Sequence, residues 1–300
     1  MKLFLLILVL FCGISSRACD VCGGMSSSSS LGVLASTQYH FLGLKTEFKS
    51  FSSYMHGILH SKEQLIRSEI IGRIQLHPRF QFLVSIPFQS AWQSDDFGRS
   101  QIAGVGDVQS IVNGVIVHRT DSSGQTRDFV SIGSGIKWPT GWNVDYPDPQ
   151  KNLYPGTGSF DLLVAANALH KFLPKLSAQM EFSYAIKGSD RAGFKYGQAG
   201  MLALSSIFMQ PFKRTRLLIN LGPAVEWNTA ASNKSVSLQS TYSKGWQFGF
   251  NAGINGIVRN WVWTFGTRIP IWQYLFAGNV KQWPSIQASI NYLIEKKSKK

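Results

Sequence analysis

Residues Leu176–Lys187 read Leu-Ser-Ala-Gln-Met-Glu-Phe-Ser-Tyr-Ala-Ile-Lys. Leu176, Ala178, Met180, Phe182, Tyr184 and Ile186 occupy one set of alternate positions. Ser177, Gln179, Glu181, Ser183, Ala185 and Lys187 occupy the other. A period of two with one apolar and one polar face is the mark of a strand lying between a greasy medium and water. It holds for twelve residues, whereas an ordinary strand runs about 5–6 and a strand tilted across a bilayer needs about 9–11.

The same alternation recurs along the chain. It is read at Thr37–Lys49, at Gln64–His77 and from Phe80 to Gln89. Gly104–Arg119 is the poorest copy, because Ile111 falls on its polar face. Asp128–Trp138 and the run from Phe160 to Ala168 follow, then the Leu176 stretch. Gln198–Phe208 is apolar on both faces. Four more copies centre on Leu217–Trp227, Trp246–Asn255, Trp261–Ile271 and Ser285–Tyr292. Short connections (77–79, 120–127, 171–174, 211–213, 258–260) alternate with long ones (50–63, 90–103, 139–157, 188–197, 228–243, 274–282). An even strand number with short turns at one end and long loops at the other is the outer-membrane plan. The expected fold is therefore all-β: a transmembrane antiparallel up-and-down β-barrel of about 12 strands over residues 37–294, with termini and short turns in the periplasm. About twelve strands enclose a watery lumen, so the apolar face looks out to lipid. Trp138, Trp227, Trp246, Trp261, Tyr184 and Tyr292 lie near strand ends on that face, as interfacial girdles require. Pro87, Pro270 and Pro284 fall near strand ends, whereas Pro223 sits in mid-strand and calls for a bulge.

The flanking segments read differently. Lys2, the apolar run Leu3–Phe11 and the small residues around Ala18 make residues 1–18 a secretory signal. Residues 19–36, with Cys19, Cys22 and five consecutive serines, cannot build a core and read as a flexible arm or plug. An even pair of exported cysteines suggests a Cys19–Cys22 disulfide, with metal capture or lipidation of Cys19 as alternatives. Residues 295–300 are a basic tail. The formal net charge is +14, but the cations sit in that tail and in turns, with no basic helix or aromatic-basic groove, so nucleic acid is not an expected partner.

Three glycine-rich motifs occur in order: Gly104-Val-Gly-Asp107-Val, Lys137-Trp-Pro-Thr-Gly141 and Gly156-Thr-Gly-Ser-Phe-Asp161. With the strand plan, they resemble the outer-membrane family of the meta-cleavage pathway of phenol degradation. The resemblance implies a barrel and a channel for small, often hydrophobic, solutes. The sequence departs from that pattern in its Cys-bearing arm and in ending Tyr292-Leu-Ile294 before a lysine tail.

The expected lumen face carries Lys45, Glu47, Arg67, Glu69, Arg73, Asp107, Lys137, Asp161, Glu181, Lys187, Arg216, Glu226 and Arg268. The two signs nearly balance, so the net charge does not license anion selectivity. These residues either brace the wall through cross-strand ion pairs or line a solute path. Met55, His56 and His60 read as a solvated loop, or as soft ligands if that loop turns helical. The six histidines converge with no serine or acid as a hydrolytic triad would, so no enzyme, resident metal or cofactor is expected. The expected role is passive passage of a small solute through a Gram-negative outer membrane, with the bilayer and its lipids as partners. The competing reading is a closed structural barrel whose CxxC arm and long loops hold a metal or a partner.

Overall fold

The computed structural model describes residues 39–96, 98–144, 151–212, 215–233, 239–240 and 243–294. The signal, the Cys19/Cys22 arm and the basic tail lie outside the described residues. Among the described residues seventeen strands run in chain order: β1 His40–Met55, β2 Ile58–His77, β3 Phe80–Asp95, β4 Gly98–Val105, β5 Gln109–Thr120, β6 Thr126–Lys137, β7 Asp161–Leu173, β8 Leu176–Lys187, β9 Phe194–Lys195, β10 Ala199–Pro211, β11 Thr215–Asn228, β12 Ala231–Asn233, β13 Gln239–Ser240, β14 Gly245–Val258, β15 Trp261–Leu275, β16 Val280–Gln282 and β17 Ser285–Ile294. β4 and β5 form one broken stave beside β3, and β16 and β17 form another beside β1. With those joined, neighbours pair antiparallel all the way round and β17 closes on β1. The result is a closed antiparallel 12-strand barrel, which leaves no free edge in the wall. β9, β12 and β13 make a small separate sheet from the loops after β8 and β11.

The wall is inverted relative to a water-soluble protein. Leu42, Leu44, Ile66, Ile70, Ile74, Ile86 and Phe88 are exposed on the outside, Ile70 at 53%. Lys45 (3%), Arg73 (2%) and Asp161 (2%) are buried on the inside. Large exposed apolar surface with buried charge is stable only where the outside is hydrocarbon. On β2 the outward apolar run extends from Ile66 to Leu76, about 33 Å of strand; at the usual tilt that spans about the 25 Å of an outer-membrane apolar band. The aromatic girdles fall where the sequence places them. Trp261 stacks edge-on with Tyr292 at the turn end, 4.9 Å between centroids. At the loop end Trp227 pairs with Trp246, and its ring occupies the space over Gly200.

Several expectations are corrected. Residues 50–63 and 90–103 are mostly strand, so β1–β3 rise above the rest of the wall. A two-residue turn, His56-Gly57, joins β1 to β2 with both residues at positive φ (51° and 81°), as a hairpin of matching twist demands. His60 lies within β2, so no helical loop aligns it with His56. The prolines exchange roles. Pro223 passes without a register shift: the ladder to β14 is continuous and the ladder to β10 only skips the pairs beside it. Pro270 and Pro284 instead mark one-residue register shifts. Pro87 does the same, because three residues, 106–108, face the two between Ser85 and Phe88. A proline has no N–H to give the ladder, so pairing slips beside it, with the extra residue on the proline's own strand at Pro270 and Pro284 and on the facing strand at Pro87. At Pro87 the bowed residue is Asp107, which turns into the lumen. β10 is apolar on both faces because its inner side, with Ile207 and Met209, joins an apolar lumen cluster.

Candidate functional site

Twelve of the thirteen sequence-predicted lumen charges lie buried or half-buried on the inner face, six of each sign. Arg216 is the exception: it is exposed at the turn-end rim, opposite Ile257. On β1 and β2 the charges alternate in register, Lys45 beside Glu69 and Glu47 beside Arg67. Arg67 Nε donates to Glu69 at 2.6 Å, and Lys49 lies 3.4 Å from Glu47. Further round, Arg268 on β15 pairs with Glu226, donates to Asn251 at 2.8 Å and touches the Met201 sulfur at 3.5 Å. Glu181, four staves from β15, has Arg268 and Lys45 as its electrostatic neighbours. These three side chains therefore reach toward one another across the bore. Arg73 acts at the turn end, donating through Nε and NH2 to the Tyr39 carbonyl (3.2 and 2.9 Å) over the Phe41 ring.

The three glycine motifs, far apart in sequence, meet at one point. Lys137 Nζ lies 2.8 Å from Asp107 Oδ2 and 3.0 Å from Asp161 Oδ2, and it also donates to Thr157 Oγ1. Asp107 accepts the backbone N–H groups of Gly141 (3.0 Å) and Thr157 (2.8 Å) and the Thr157 hydroxyl (2.9 Å). Asp161 accepts from Ser159 Oγ at 2.8 Å and from the Gly188 N–H at 3.1 Å. The glycines permit this convergence. A Cβ on Gly141 would stand 2.6 Å from Gly106 C, and one on Gly156 2.6 Å from Gly141 C. Three backbones thus stack at a separation that only glycine allows.

This hub pins the loop between β6 and β7 inside the barrel. The short 3₁₀ turn Lys151–Leu153 is buried. Leu153 packs among Phe51, Leu65, Ala91, Ile102, Leu275, Phe276 and Val280, and Gln89 donates to its carbonyl at 3.3 Å. Lys151 donates to Asp190 at 2.7 Å and stands over the rings of Phe194 and Tyr196. Below the loop, Arg67, Gln89, Asp107, Lys137, Tyr154 and Tyr196 border a cavity of about 30 Å³, room for a water or two. At the turn end Phe41, Ile71, Val262 and Leu293 pack together with Ile257 against them, and Ile207 and Leu218 form an adjoining cluster. The bore expected to be watery is thus layered: an apolar plug at the loops, a charged middle and an apolar collar at the turns.

Sequence reasoning found the charges but missed the loop. Thr157, Ser159, Lys151, Leu153 and Asp190 were read as polar connection; only their adjacency to the glycine motifs signalled otherwise. Among the described residues no group of three potential metal ligands gathers, and no helix is long and apolar enough to cross a membrane.

No protein-family model matches the sequence, and no curated protein matches it. In structure the chain is similar to the COG4313 outer membrane channel from Pseudomonas putida F1, with a TM-score of 0.63 and 12% identity over 86% of this chain and 96% of that one. The chain has the fold of an outer-membrane β-barrel. The beta domain of the Bordetella autotransporter Brka superposes more loosely on the barrel, at a TM-score of 0.48 and 11% identity over 85% of this chain and 99% of that one. At such identities the likeness is one of fold.

Proposed function

We propose that this barrel is a narrow, gated channel for the passive passage of a small solute across the outer membrane, and that it belongs with the meta-pathway channels its glycine motifs resemble. The carrying observation is the inverted wall around a layered lumen: charges that pair with one another, not with bulk water, beneath a loop folded inward. The apolar zones above and below the charged layer suit a solute with hydrophobic surface. The termini and short turns face the periplasm and the long loops face outward. The lumen charges line the path, and the 138–160 loop takes the part of the plug first sought in the N-terminal arm. Planar-bilayer recording and liposome swelling with the purified barrel test this. The expected result is small, discrete conductance and slow solute flux. A heat-modifiable, folded barrel that passes neither ions nor solutes in any condition supports the second reading, a closed structural barrel, which the buried lumen charges favour.

A further inference from the structure

Outside the lumen, the tall part of the wall carries a row of cations that the channel reading does not use. Register places Lys281 (β16) beside Ser52 (β1), Ser52 beside Lys62 (β2), Lys62 beside Ser94 (β3) and Ser94 beside Arg99 (β4). Lys62, Arg99 and Lys281 are exposed, while Ser61, Glu63, Val280 and Gln282 beside Lys62 and Lys281, and Ile102 three positions on from Arg99, are buried on the inner face. Alternation therefore turns the three cations outward. Adjacent strands lie about 4.8 Å apart, so the row spans about 19 Å. It sits one outward position beyond Gln64 and Trp92 and two beyond Ile66, just past the apolar band. Trp283 stands at the same border: Lys281 Nζ lies 4.6 Å from its ring centre, and its indole N–H donates to Ser52 Oγ at 3.0 Å. Tryptophans at headgroup depth below a line of cations make an interfacial anchor with a charged upper rim. Among the described residues these cations make no ion pair. Glu63 and Asp95 share the inward register, and Asp96 sits at the hairpin tip.

We infer that Lys62, Arg99 and Lys281, footed on Trp92 and Trp283, bind the phosphorylated sugar headgroup of the outer-leaflet glycolipid. This rests on the orientation proposed above, which puts the loop end in that leaflet. Phosphate oxygens pair well with exposed Arg and Lys that have no protein carboxylate to satisfy. Acyl chains hanging from such a headgroup would lie on the apolar face beneath, at Ile66 and Phe88. Three cations spread over five adjacent strands match a headgroup with more than one phosphate better than a single phospholipid.

The test uses the full mature chain in detergent, with diphosphoryl lipid A as probe and native mass spectrometry or fluorescence titration as readout. The triple variant Lys62→Gln, Arg99→Gln, Lys281→Gln should weaken binding at least tenfold. The variant Arg79→Gln, Lys175→Gln, Arg259→Gln removes the same charge from exposed turn-end positions and should leave binding unchanged. Dephosphorylated lipid A should lose most of the affinity, and inorganic phosphate or phosphatidylglycerol should compete only in large excess. Equal loss in both triple variants, or phosphatidylglycerol competing on equal terms, would overturn the site in favour of a general anionic surface. Both triple variants leave the lumen intact, so a heat-modifiable gel shift separates lost binding from lost folding. Orientation is read separately, with an epitope inserted at His56-Gly57. Labelling on intact cells supports the assignment, and labelling only after permeabilisation refutes it whatever the channel does.

Discussion

Lys137→Met should release the inward loop. The ammonium holds two buried carboxylates, at 2.8 and 3.0 Å, so with the lysine gone their nearest oxygens stand at most about 6 Å apart. At an effective dielectric near 20, two full charges at that distance repel by about 3 kcal/mol. Breaking a buried ion pair from one side costs about 3–5 kcal/mol on measured precedent, so both routes agree. The wall does not depend on the hub, because its ladder is continuous round the barrel. The cost therefore falls on the loop, whose Gly141 and Thr157 N–H groups reach Asp107. At about 1.36 kcal/mol per decade, about 3–5 kcal/mol moves the balance between loop-in and loop-out by about two to four decades. In planar bilayers the variant should show larger and noisier conductance steps than the parent, and residues 138–160 should become protease-sensitive. The double variant Lys137→Met, Asp107→Asn removes the repulsion and should recover part of the parent's quiet trace. A folded Lys137→Met barrel with unchanged steps and unchanged protection would refute the reasoning.

Four further outcomes follow from named contacts. Leu153→Glu puts a charge among Phe51, Leu65 and Phe276; it should open the loop end and raise conductance without weakening the heat-modifiable gel shift. Gly141→Ala, whose Cβ would stand 2.6 Å from Gly106 C, should separate the stacked backbones and expose 138–160 to protease, whereas Gly72→Ala, with open space around it, should behave as the parent. Ile70→Arg, in the middle of the lipid band, should cost about 2–4 kcal/mol in urea titrations from lipid vesicles, while Lys62→Ala beyond that band should change unfolding little. At the turn end the Lys171 hydrogen bond, followed by the Ser123 hydroxyl, holds the Asp121 carboxyl well below the usual carboxylate range. The Asp121–Lys171 link is therefore fully present above the unfolded value of about 4 and is lost only as pH falls through the lower folded one; carboxyl NMR should find Asp121 still ionised at pH 3.5, and Lys171→Met should bring its titration back up.

The wall was legible because a bilayer enforces period two over ten or more residues and leaves no other way to satisfy the backbone. β8 is found at the bounds its alternation implied, and the turn-end connections at 78–79, 121–125 and 259–260 fall within the stretches read for them, whereas β7 runs on to Leu173 and takes most of the 171–174 connection. The loop end was less legible. Above the membrane serines fall on both faces of β1 and β2, so alternation fades and strand reads as loop: Ser50, Ser52, Ser53 and Ser61 carry no face signal, and Phe51 stands alone among them. Lumen charges were identified by phase alone, which is why Arg216 was included although its height on β11 puts it at the rim. Phase says which way a side chain points and nothing of how far along the bore it lies. The convergence of Asp107, Lys137 and Asp161 was present as three separate glycine motifs. What joins them is the bulge opposite Pro87, a tertiary consequence that local pattern does not encode.

The layering of the lumen also decides where motion is possible. A closed ladder fixes the wall, since every stave has two hydrogen-bonded neighbours and opening any seam would bare backbone to hydrocarbon. The paired charges on that wall, Arg67–Glu69 at 2.6 Å and Lys137–Asp107 at 2.8 Å among them, cannot be drawn apart singly without stranding a partner in a space nearly closed to water. The loop between β6 and β7 differs from both. Its described residues lie outside the ladder, it is held by the Lys137 hub, the Lys151–Asp190 pair and the Leu153 side chain, and its removal would leave the charged layer with access to water from the loop end. Solvating those charges offsets part of the lost contact, so a loop-out state lies closer in free energy than its buried appearance suggests. Any solute that displaces Leu153 from its apolar neighbours would collect the same compensation, which makes the loop between β6 and β7, rather than the wall, the element on which the proposed passage turns.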